Sequence, residues 1–215
     1  TARAIGIRTA VLRHAAEIEA PAHLIADEVV MIEGVTPVAA YLDIPQIVAA
    51  AKKIGADAVH PGYGFLSENA GFVAALEEAG VTFVGPTSEV IDLMGDKVRA
   101  RAFVEKRGFP VAPSAIEDDD PTTFVERART LGYPLLIKPS AGGGGKGMRI
   151  VREDSTLKTE IETARREGQR YFGDGRLFVE RYIERPRHIE VQVMGDGQGN
   201  VVHFWERECS IQRRF

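Results

Sequence analysis

The chain has 215 residues, of which 44% are hydrophobic and 27% are charged, enough for a buried core in one large domain or two small ones. Its formal net charge is −4, from 27 basic and 31 acidic residues, which argues against a nucleic-acid-binding protein. The single cysteine, Cys209, excludes an internal disulfide and a CxxC metal site and fits a reducing compartment.

The sequence shows no membrane or export signal. No apolar run approaches the roughly 18–20 residues of a membrane span, and the first residues lack the apolar core of a signal peptide. We therefore expect a protein of the cytoplasm, or of an equivalent matrix such as that of mitochondria, with no membrane partner. Because the chain opens on Thr1 and closes on Phe215 directly after a basic run, we expect it to be part of a longer protein.

Short apolar runs alternate with helical patterns in residues 1–86, and this alternation predicts an α/β domain with a parallel sheet. The predicted strands are Ile7 to Leu12, Val29 to Ile32, Asp57 to His60 and Thr82 to Val84. One helix is predicted from the N-cap Asp43 to about Lys53. A second begins near Ser67 to Asn69 and ends at Gly80, with its buried face formed by Phe72, Val73 and Leu76.

The loop HPGYGFLSEN, residues 60–69, follows the third predicted strand, at the sheet edge where open α/β proteins bind ligands. A purely structural interpretation explains most of it: the glycines turn the chain, Ser67 caps the helix, and Phe65 and Leu66 enter the core. Four residues remain that either lie at the surface or face a substrate, namely His60, Tyr63, Glu68 and Asn69.

Two helical patterns meet at Gly95 within residues 87–112, which we interpret as a helical linker. Lys97 falls in the first turn of the second helix, where the helix dipole disfavours a cation, and its plain interpretation is a solvated lysine. An acidic loop, residues 117–120, then marks the boundary to a small α+β unit.

The segment IKPSAGGGGKGM, residues 137–148, joins two predicted strands through a glycine-rich turn. No helix follows, which excludes a Rossmann fingerprint, and Lys146 precedes Gly147 instead of Ser or Thr, which excludes a Walker A loop. Glycines let backbone N–H groups approach phosphates, and Lys138 and Lys146 add charge. The segment is therefore predicted to be a mobile lid over a nucleoside triphosphate, or else a flexible surface hairpin.

Two later strand patterns complete the chain. Leu177 to Arg181 is predicted to place Leu177 and Val179 on one face and Phe178 and Glu180 on the other. Glu180 either accepts a hydrogen bond from an adenine amino group or a ribose hydroxyl, or pairs with Arg181 or Arg185. After Pro186, the alternating runs 189–194 and 201–205 predict an antiparallel hairpin.

Five strings occur in an order and spacing that resemble the biotin carboxylase component of biotin-dependent carboxylases, an ATP-grasp family: HPGYGFLSEN, LMGDK, YPLLIKPSAGGGGKGM, VERYIERPRHIEVQV and ERECSIQRR. The resemblance covers nearly the whole chain. It implies an α/β fold with a Rossmann-like pre-ATP-grasp parallel sheet (1–86) and the helical linker (87–112). An ATP-grasp α+β lid subdomain (113–183) and the first hairpin of the C-terminal ATP-grasp subdomain (184–215) follow.

The resemblance also implies a ligase in which ATP and bicarbonate form carboxyphosphate, whose CO₂ passes to biotin on a carrier domain, with Mg²⁺ as cofactor. The implied partners are that biotin carboxyl carrier domain, a carboxyltransferase and a second copy of the full-length protein. The positions that match ATP-binding residues are Lys97, Lys138, Gly144, Gly145, Met148, Glu180, Arg181, Tyr182, Ile183, His188 and Gln212. Tyr63 and Glu68 match walls of the biotin site, and His188 and Gln212 match positions near bicarbonate and biotin.

The chain departs from the family pattern in several places. Arg181 stands where lysine is common, and Phe215 stands where some members carry histidine. The family's metal-binding glutamates and later catalytic residues would follow Phe215, so we expect no metal ligands here, weak ATP binding and no carboxylation by these residues alone. Two other functions remain open: another ATP-grasp ligase that joins a carboxylate to an amine, and a non-catalytic nucleotide-binding or interaction module.

Overall fold

The structure is a computed structural model and describes residues 1–117, 120–140 and 147–211. The chain divides into two compact units, Thr1–Gly95 and Asp96–Phe215, and each is considered by itself. In the described ranges, no helix is both long enough and apolar enough to cross a membrane.

Unit 1 contains two short parallel sheets. Its strands are β1 (Ala10–His14), β2 (Glu28–Ile32), β3 (Ala58–Val59) and β4 (Thr82–Phe83). Its helices are α1 (Pro21–Ile25), α2 (Pro37–Tyr41), α3 (Ile44–Lys53), α4 (Ala70–Glu78) and α5 (Ser88–Gly95). Strand β1 pairs with β2 and β3 pairs with β4, both in parallel, so the predicted parallel pairing is confirmed. The described strands form two separate two-stranded sheets instead of one continuous sheet.

The ends of two predicted elements shift for identifiable reasons. Strand β1 begins at Ala10 and not at Ile7, since the backbone N–H and the hydroxyl of Thr9 both bind Asp27 Oδ2, at 2.8 and 2.9 Å. Helix α4 is capped by Asn69, whose Oδ1 accepts from the Phe72 N–H at 2.9 Å, so the expectation that Ser67 caps it is wrong. The predicted cap of α3 is confirmed, because Asp43 accepts from the Gln46 N–H at 3.0 Å.

The core of unit 1 lies between α3, α4 and the strands β3 and β4. The predicted inner face of α4 is confirmed, since Phe72, Val73 and Leu76 are buried there. Leu66 joins this core, but Phe65 does not: its side chain is 58% exposed, and its backbone is left-handed with φ +46°. In the loop of residues 60–69, Leu66 is therefore buried while the adjacent Phe65 is exposed.

Unit 2 is built on a four-stranded antiparallel sheet. Its strands are β5 (Ser114–Ile116), β6 (Leu135–Pro139), β7 (Arg149–Val151) and β8 (Leu177–Arg181), in the order β5-β8-β6-β7. Its helices are α6 (Lys97–Glu105), α7 (Phe124–Thr130) and α8 (Asp154–Phe172). A separate antiparallel ribbon, predicted from the alternating runs, follows as β9 (Ile189–Gly195) and β10 (Val201–Glu208).

One face of the four-stranded sheet packs against α7 and α8. Leu177 and Val179 lie fully buried on this face, as predicted, and they share a core with Leu135, Ile137, Val151, Phe124, Leu157 and Ile161. Because side chains alternate along a strand, the opposite face carries Leu136, Lys138, Phe178 and Glu180. The core therefore fixes the position of a second face that bears charge.

A buried carboxylate holds the beginning of β8. Glu117, only 8% exposed, pairs with Arg165 of α8, and its Oε2 accepts from the Leu177 N–H at 3.0 Å. The start of β8 is thereby tied to β5 and to α8, and the strand that carries Phe178 and Glu180 is held in register.

We predict that Glu117→Ala lowers the free energy of unfolding by about 2 kcal/mol, because a buried N–H loses its acceptor. The control is Glu162→Ala, an exposed glutamate of α8, which should change stability by less than about 0.5 kcal/mol. Urea denaturation measures both. Equal losses for the two variants would show that Glu117 does not support β8.

Candidate functional site

The charged face of the sheet in unit 2 holds an ion pair between Lys138 on β6 and Glu180 on β8. Both side chains are largely shielded, with 22% and 18% exposed. In the strand register Lys138 faces Phe178, and its Nζ lies 5.6 Å from the centroid of that ring. Lys138 therefore rests between an aromatic ring and a carboxylate.

This pairing corrects one interpretation of the sequence. Glu180 was expected to pair with Arg181 or Arg185 if it served structure alone, whereas its partner is Lys138. Successive residues of a strand point to opposite faces, so Arg181 points away from Glu180 and donates instead to the carbonyl of Leu131, at 3.1 Å. Strand β6 is the neighbour of β8, and it supplies the cation that faces Glu180.

Lys97 at the start of α6 belongs to the same electrostatic cluster. Asp96 caps this helix by accepting from the N–H groups of Val98 and Arg99, at 2.9 and 3.0 Å. The Lys97 side chain retains solvent contact, yet its pKa is lowered, first by partial desolvation and then by the charge of Lys138, while Glu180 acts in the opposite direction. Lys97 is thus exposed, as its plain interpretation expects, and its charge is coupled to those of Lys138 and Glu180.

Lys97, Lys138 and Glu180 together carry two positive charges and one negative charge. Lys138 and Glu180 are largely shielded from water, and Coulomb interactions between shielded groups are stronger than in bulk solvent, while Lys97 is exposed at the edge of the cluster. An anion that brings its own negative charge, such as a phosphate chain, can bind both ammonium groups. The arrangement therefore suits a polyanionic ligand.

The glycine-rich segment begins and ends beside this cluster. Lys138 and Pro139 precede it, and Gly147, with φ +74°, follows it. A Cβ on Gly147 would lie 2.9 Å from Pro139 Cγ, so this close approach requires glycine. Met148 is half-buried just before β7. The predicted phosphate contacts Gly144, Gly145 and Lys146 lie outside the described residues.

The residues that follow Glu180 were predicted to read adenine. The N–H of Arg181 donates to the Pro113 carbonyl at 3.1 Å, and that of Tyr182 donates to the Pro134 carbonyl at 2.9 Å. Ile183 is 60% exposed. These two N–H groups are thus bonded within the protein and are not available to a base.

His188 lies at the start of the ribbon β9–β10. Its N–H donates to Ser210 Oγ at 2.8 Å, and its imidazole Nε2 lies 3.3 Å from Glu190 Oε1. It lines an open concavity of about 400 Å³ together with Glu190, Arg207, Glu208, Cys209 and Ile211. Partial burial raises the pKa of the Cys209 thiol, which favours its protonated form. Gln212 and Phe215 lie outside the described residues.

The two residues predicted as walls of the biotin site, Tyr63 and Glu68, lie in unit 1. Tyr63 is 95% exposed in the loop 60–69, and Glu68 is also exposed. His60 uses its Nδ1 to accept from the Gly62 N–H at 3.0 Å. Asn69 is occupied as the cap of α4. No structural role was predicted for His60, Tyr63, Glu68 and Asn69. Of these four, Tyr63 and Glu68 project into solvent, and no cap or turn hydrogen bond is described for their side chains.

Sequence reasoning missed Phe178 as part of the site. Phe178 is 6% exposed although it lies on the face opposite the core, and it supports the ammonium of Lys138. The sequence did contain a signal for its place in the site. Phe178 lies two residues before Glu180, and residues i and i+2 share a face of a strand.

Comparison with protein families matches both units. The family model described as biotin carboxylase, N-terminal domain, matches residues 1–91. The model described as carbamoyl-phosphate synthase L chain, ATP binding domain, matches residues 96–215, which is more than half of the chain.

Individual proteins are similar over nearly the whole chain. Biotin carboxylase of Haemophilus influenzae is 45% identical over 212 residues, which cover 98% of this chain and 47% of that protein. Pyruvate carboxylase of Bacillus subtilis is 52% identical over 191 residues, which cover 88% of this chain and 17% of that protein. This chain thus spans about half of the first relative's length and less than a fifth of the second's.

Solved structures agree in fold. The biotin carboxylase domain dimer of Hydrogenobacter thermophilus 2-oxoglutarate carboxylase, in complex with MgADP, ADP and bicarbonate, has a TM-score of 0.89 at 45% identity and covers 99% of this chain and 47% of that one. A biotin carboxylase complex with β,γ-ATP from Campylobacter jejuni has a TM-score of 0.91 at 40% identity, with 99% and 48% covered. The chain therefore belongs to the biotin carboxylase family, with an N-terminal biotin carboxylase domain followed by an ATP-binding domain.

Proposed function

We propose that the protein containing this chain uses ATP and bicarbonate to carboxylate biotin on a carrier domain, the first half-reaction of a biotin-dependent carboxylase. The observation that carries the proposal is the cluster of Lys97, Lys138 and Glu180 beside the glycine-rich segment. It supplies two cations for a phosphate chain, Lys138 shielded and Lys97 exposed, in a chain whose relatives include biotin carboxylases.

In this proposal Lys97 and Lys138 bind the phosphates of ATP. Bicarbonate oxygen attacks the γ-phosphorus, ADP leaves, and carboxyphosphate forms. As negative charge moves toward the leaving β-phosphate, ammonium groups already held in place stabilise it without reorganising. Glu180 balances their repulsion before ATP binds, and it accepts a hydrogen bond from the nucleoside once the phosphates occupy the lysines.

The carboxyl transfer to biotin follows. Carboxyphosphate breaks into CO₂ and trianionic phosphate, and N1 of biotin attacks the CO₂ while its proton passes to the phosphate. We assign Tyr63 and Glu68 to walls of the biotin site, and His188 and Gln212 to the vicinity of bicarbonate. The proposed partners are a biotin carboxyl carrier domain, a carboxyltransferase and a second copy of the protein, as the dimer of the Hydrogenobacter domain suggests.

Mg²⁺ is the cofactor we propose for the phosphoryl transfer. When bound to ATP it neutralises charge on the β- and γ-phosphates. Within residues 1–117, 120–140 and 147–211, no three His, Cys, Asp or Glu side chains come together as a metal site, so we assign it no ligand there. We place the protein in the cytoplasm or the mitochondrial matrix, the latter because one relative is the mitochondrial pyruvate carboxylase of Mus musculus.

The direct test is ATP hydrolysis by the full-length protein, with and without biotin and bicarbonate. Hydrolysis that depends on both supports the proposal, whereas stimulation by an amine acceptor instead of biotin would indicate another ATP-grasp ligase.

We predict that Lys138→Ala lowers kcat/KM for ATP about a hundredfold or more, because an organised electrostatic contact to the phosphates is lost.

The matched control is Lys158→Ala, which removes an exposed lysine of α8 and should change kcat/KM less than about twofold. Thermal melting of both variants confirms that they are folded. Equal effects of the two substitutions would contradict the role of Lys138.

The lowered pKa of Lys97 predicts a pH dependence of ATP binding. A lysine with a lowered pKa loses its charge at a lower pH than an ordinary lysine does, so ATP affinity should begin to fall, as pH rises, before the ordinary lysine pKa of about 10.4 is reached. Lys97→Arg should flatten this fall, since guanidinium stays protonated. Calorimetric titration measures the affinity, with Lys106→Arg at the other end of α6 as control. A wild-type slope in Lys97→Arg would exclude Lys97 as the titrating group.

The proposed contact between Glu180 and adenine predicts a change in base preference. Glu180→Gln replaces a charged acceptor by an amide that can also donate to the 6-oxo group of ITP. The preference for ATP over ITP should fall about tenfold, the value of one hydrogen bond to a charged group. If the ratio of ATP to ITP is unchanged and that of ATP to 2′-deoxy-ATP falls, Glu180 binds the ribose and not the base.

A further inference from the structure

A hydrogen-bonded turn follows strand β1 in unit 1. Glu17 Oε2 accepts from the His14 backbone N–H at 2.7 Å. The His14 ring, which is buried, accepts the Ala16 N–H at Nδ1, at 3.2 Å, so its proton lies on Nε2, which donates to the Gly34 carbonyl at 2.9 Å. The turn is therefore linked both to β1 and to the segment that follows β2.

Tyr41, the last residue of α2, is fixed by this turn. Its hydroxyl lies 2.9 Å from Glu17 Oε2 and 3.0 Å from the Leu12 carbonyl oxygen. Burial raises the pKa of Tyr41 to about 12, while the His14 N–H, as the largest cause, lowers the pKa of Glu17. Tyr41 is thus a neutral donor to an ionised acceptor near neutral pH, and this contact orients its ring.

The ring of Tyr41 packs against Phe65 of the loop 60–69. The two centroids are 5.5 Å apart, with an angle of 40° between the planes. Phe65 has φ +46°, a conformation that a residue other than glycine keeps only when its surroundings hold it there. Leu66 anchors the loop in the core, so Phe65 and Leu66 form two consecutive anchors between Tyr63 and Glu68.

We infer that Tyr41 is a positioning residue, which acts through Phe65 to hold the loop 60–69 in the conformation that presents Tyr63 to biotin. The inference rests on the proposed function. Tyr41 touches neither biotin nor ATP in this scheme. Its contribution is to keep Phe65 in its left-handed conformation before biotin arrives, so that binding does not have to organise the loop.

The experiment measures biotin-dependent ATP hydrolysis by the full-length protein, with free biotin as substrate. Tyr41→Leu should raise the KM for biotin between about three- and tenfold, which is what the loss of an aromatic pair is worth. The KM for ATP should stay unchanged, because Lys97, Lys138 and Glu180 belong to unit 2. Tyr41→Phe keeps the ring and should retain a KM for biotin closer to that of the wild type.

Two further variants separate positioning from general damage. Phe65→Gly removes the ring and relieves the backbone strain without touching Glu17, and it should raise the KM for biotin by itself. Adding Tyr41→Leu to Phe65→Gly should cause little further change if the two rings act as a pair. Tyr171→Leu is the matched control, because Tyr171 is a surface tyrosine of α8 that contacts Phe172 edge-on, and its loss should leave the KM for biotin unchanged.

Amide hydrogen exchange across residues 60–69 provides a readout that does not depend on biotin chemistry. Faster exchange in Tyr41→Leu, together with the selective rise in the KM for biotin, supports the inference. An unchanged KM for biotin, or equal rises for biotin and ATP, would contradict it. Faster exchange in a protein whose wild type shows no biotin dependence would overturn the proposed function while leaving the role of Tyr41 in loop geometry intact.

Discussion

The antiparallel pairing of β6 with β8 is the constraint on which the candidate site depends, because it brings Lys138 beside Glu180 on the face opposite the core. A half-buried ion pair is a weak source of stability, since desolvation of both groups offsets most of their attraction. The ammonium of Lys138 also contacts the ring of Phe178, and the charges of Lys138 and Glu180 both act on Lys97. The small contribution of the ion pair to stability supports the proposal that the cluster is an anion site, in which a phosphate chain would replace the carboxylate at the lysines.

The rest of unit 2 keeps this face in place. Fully buried side chains of the sheet, α7 and α8 fix the inner face, and alternation along the strands then determines what the outer face carries. Glu117 ties the beginning of β8 to α8, and Asp96 fixes the first turn of α6, where Lys97 lies. In unit 1 the loop 60–69 is also held by buried and contacting side chains. Leu66 enters the core, and Phe65 packs against the ring of Tyr41, whose hydroxyl contacts Glu17.

Long, periodic or well-capped elements could be predicted from the sequence, and pairings distant in the chain could not. The inner face of α4, the cap of α3 and the ribbon β9–β10 follow from local patterns, and each is confirmed. The short helices α1 and α2 and the strand β5 have too few residues to show a period, and they were missed. Of the two alternatives for Glu180, the pair with Arg181 or Arg185 is wrong, since β6 supplies the partner and nothing local to β8 shows that β6 is its neighbour. The left-handed conformation of Phe65 likewise depends on Tyr41, which lies 24 residues earlier in the chain.

We propose that Lys138 and Glu180 exchange their direct ion pair for contacts to a nucleotide when ATP binds. A crystal structure of the full-length protein with a non-hydrolysable ATP analogue tests it most directly. We predict phosphate oxygens within hydrogen-bond distance of Nζ of both Lys97 and Lys138, with Glu180 turned toward the nucleoside. A nucleotide bound elsewhere, with the pair between Lys138 and Glu180 intact, would contradict it.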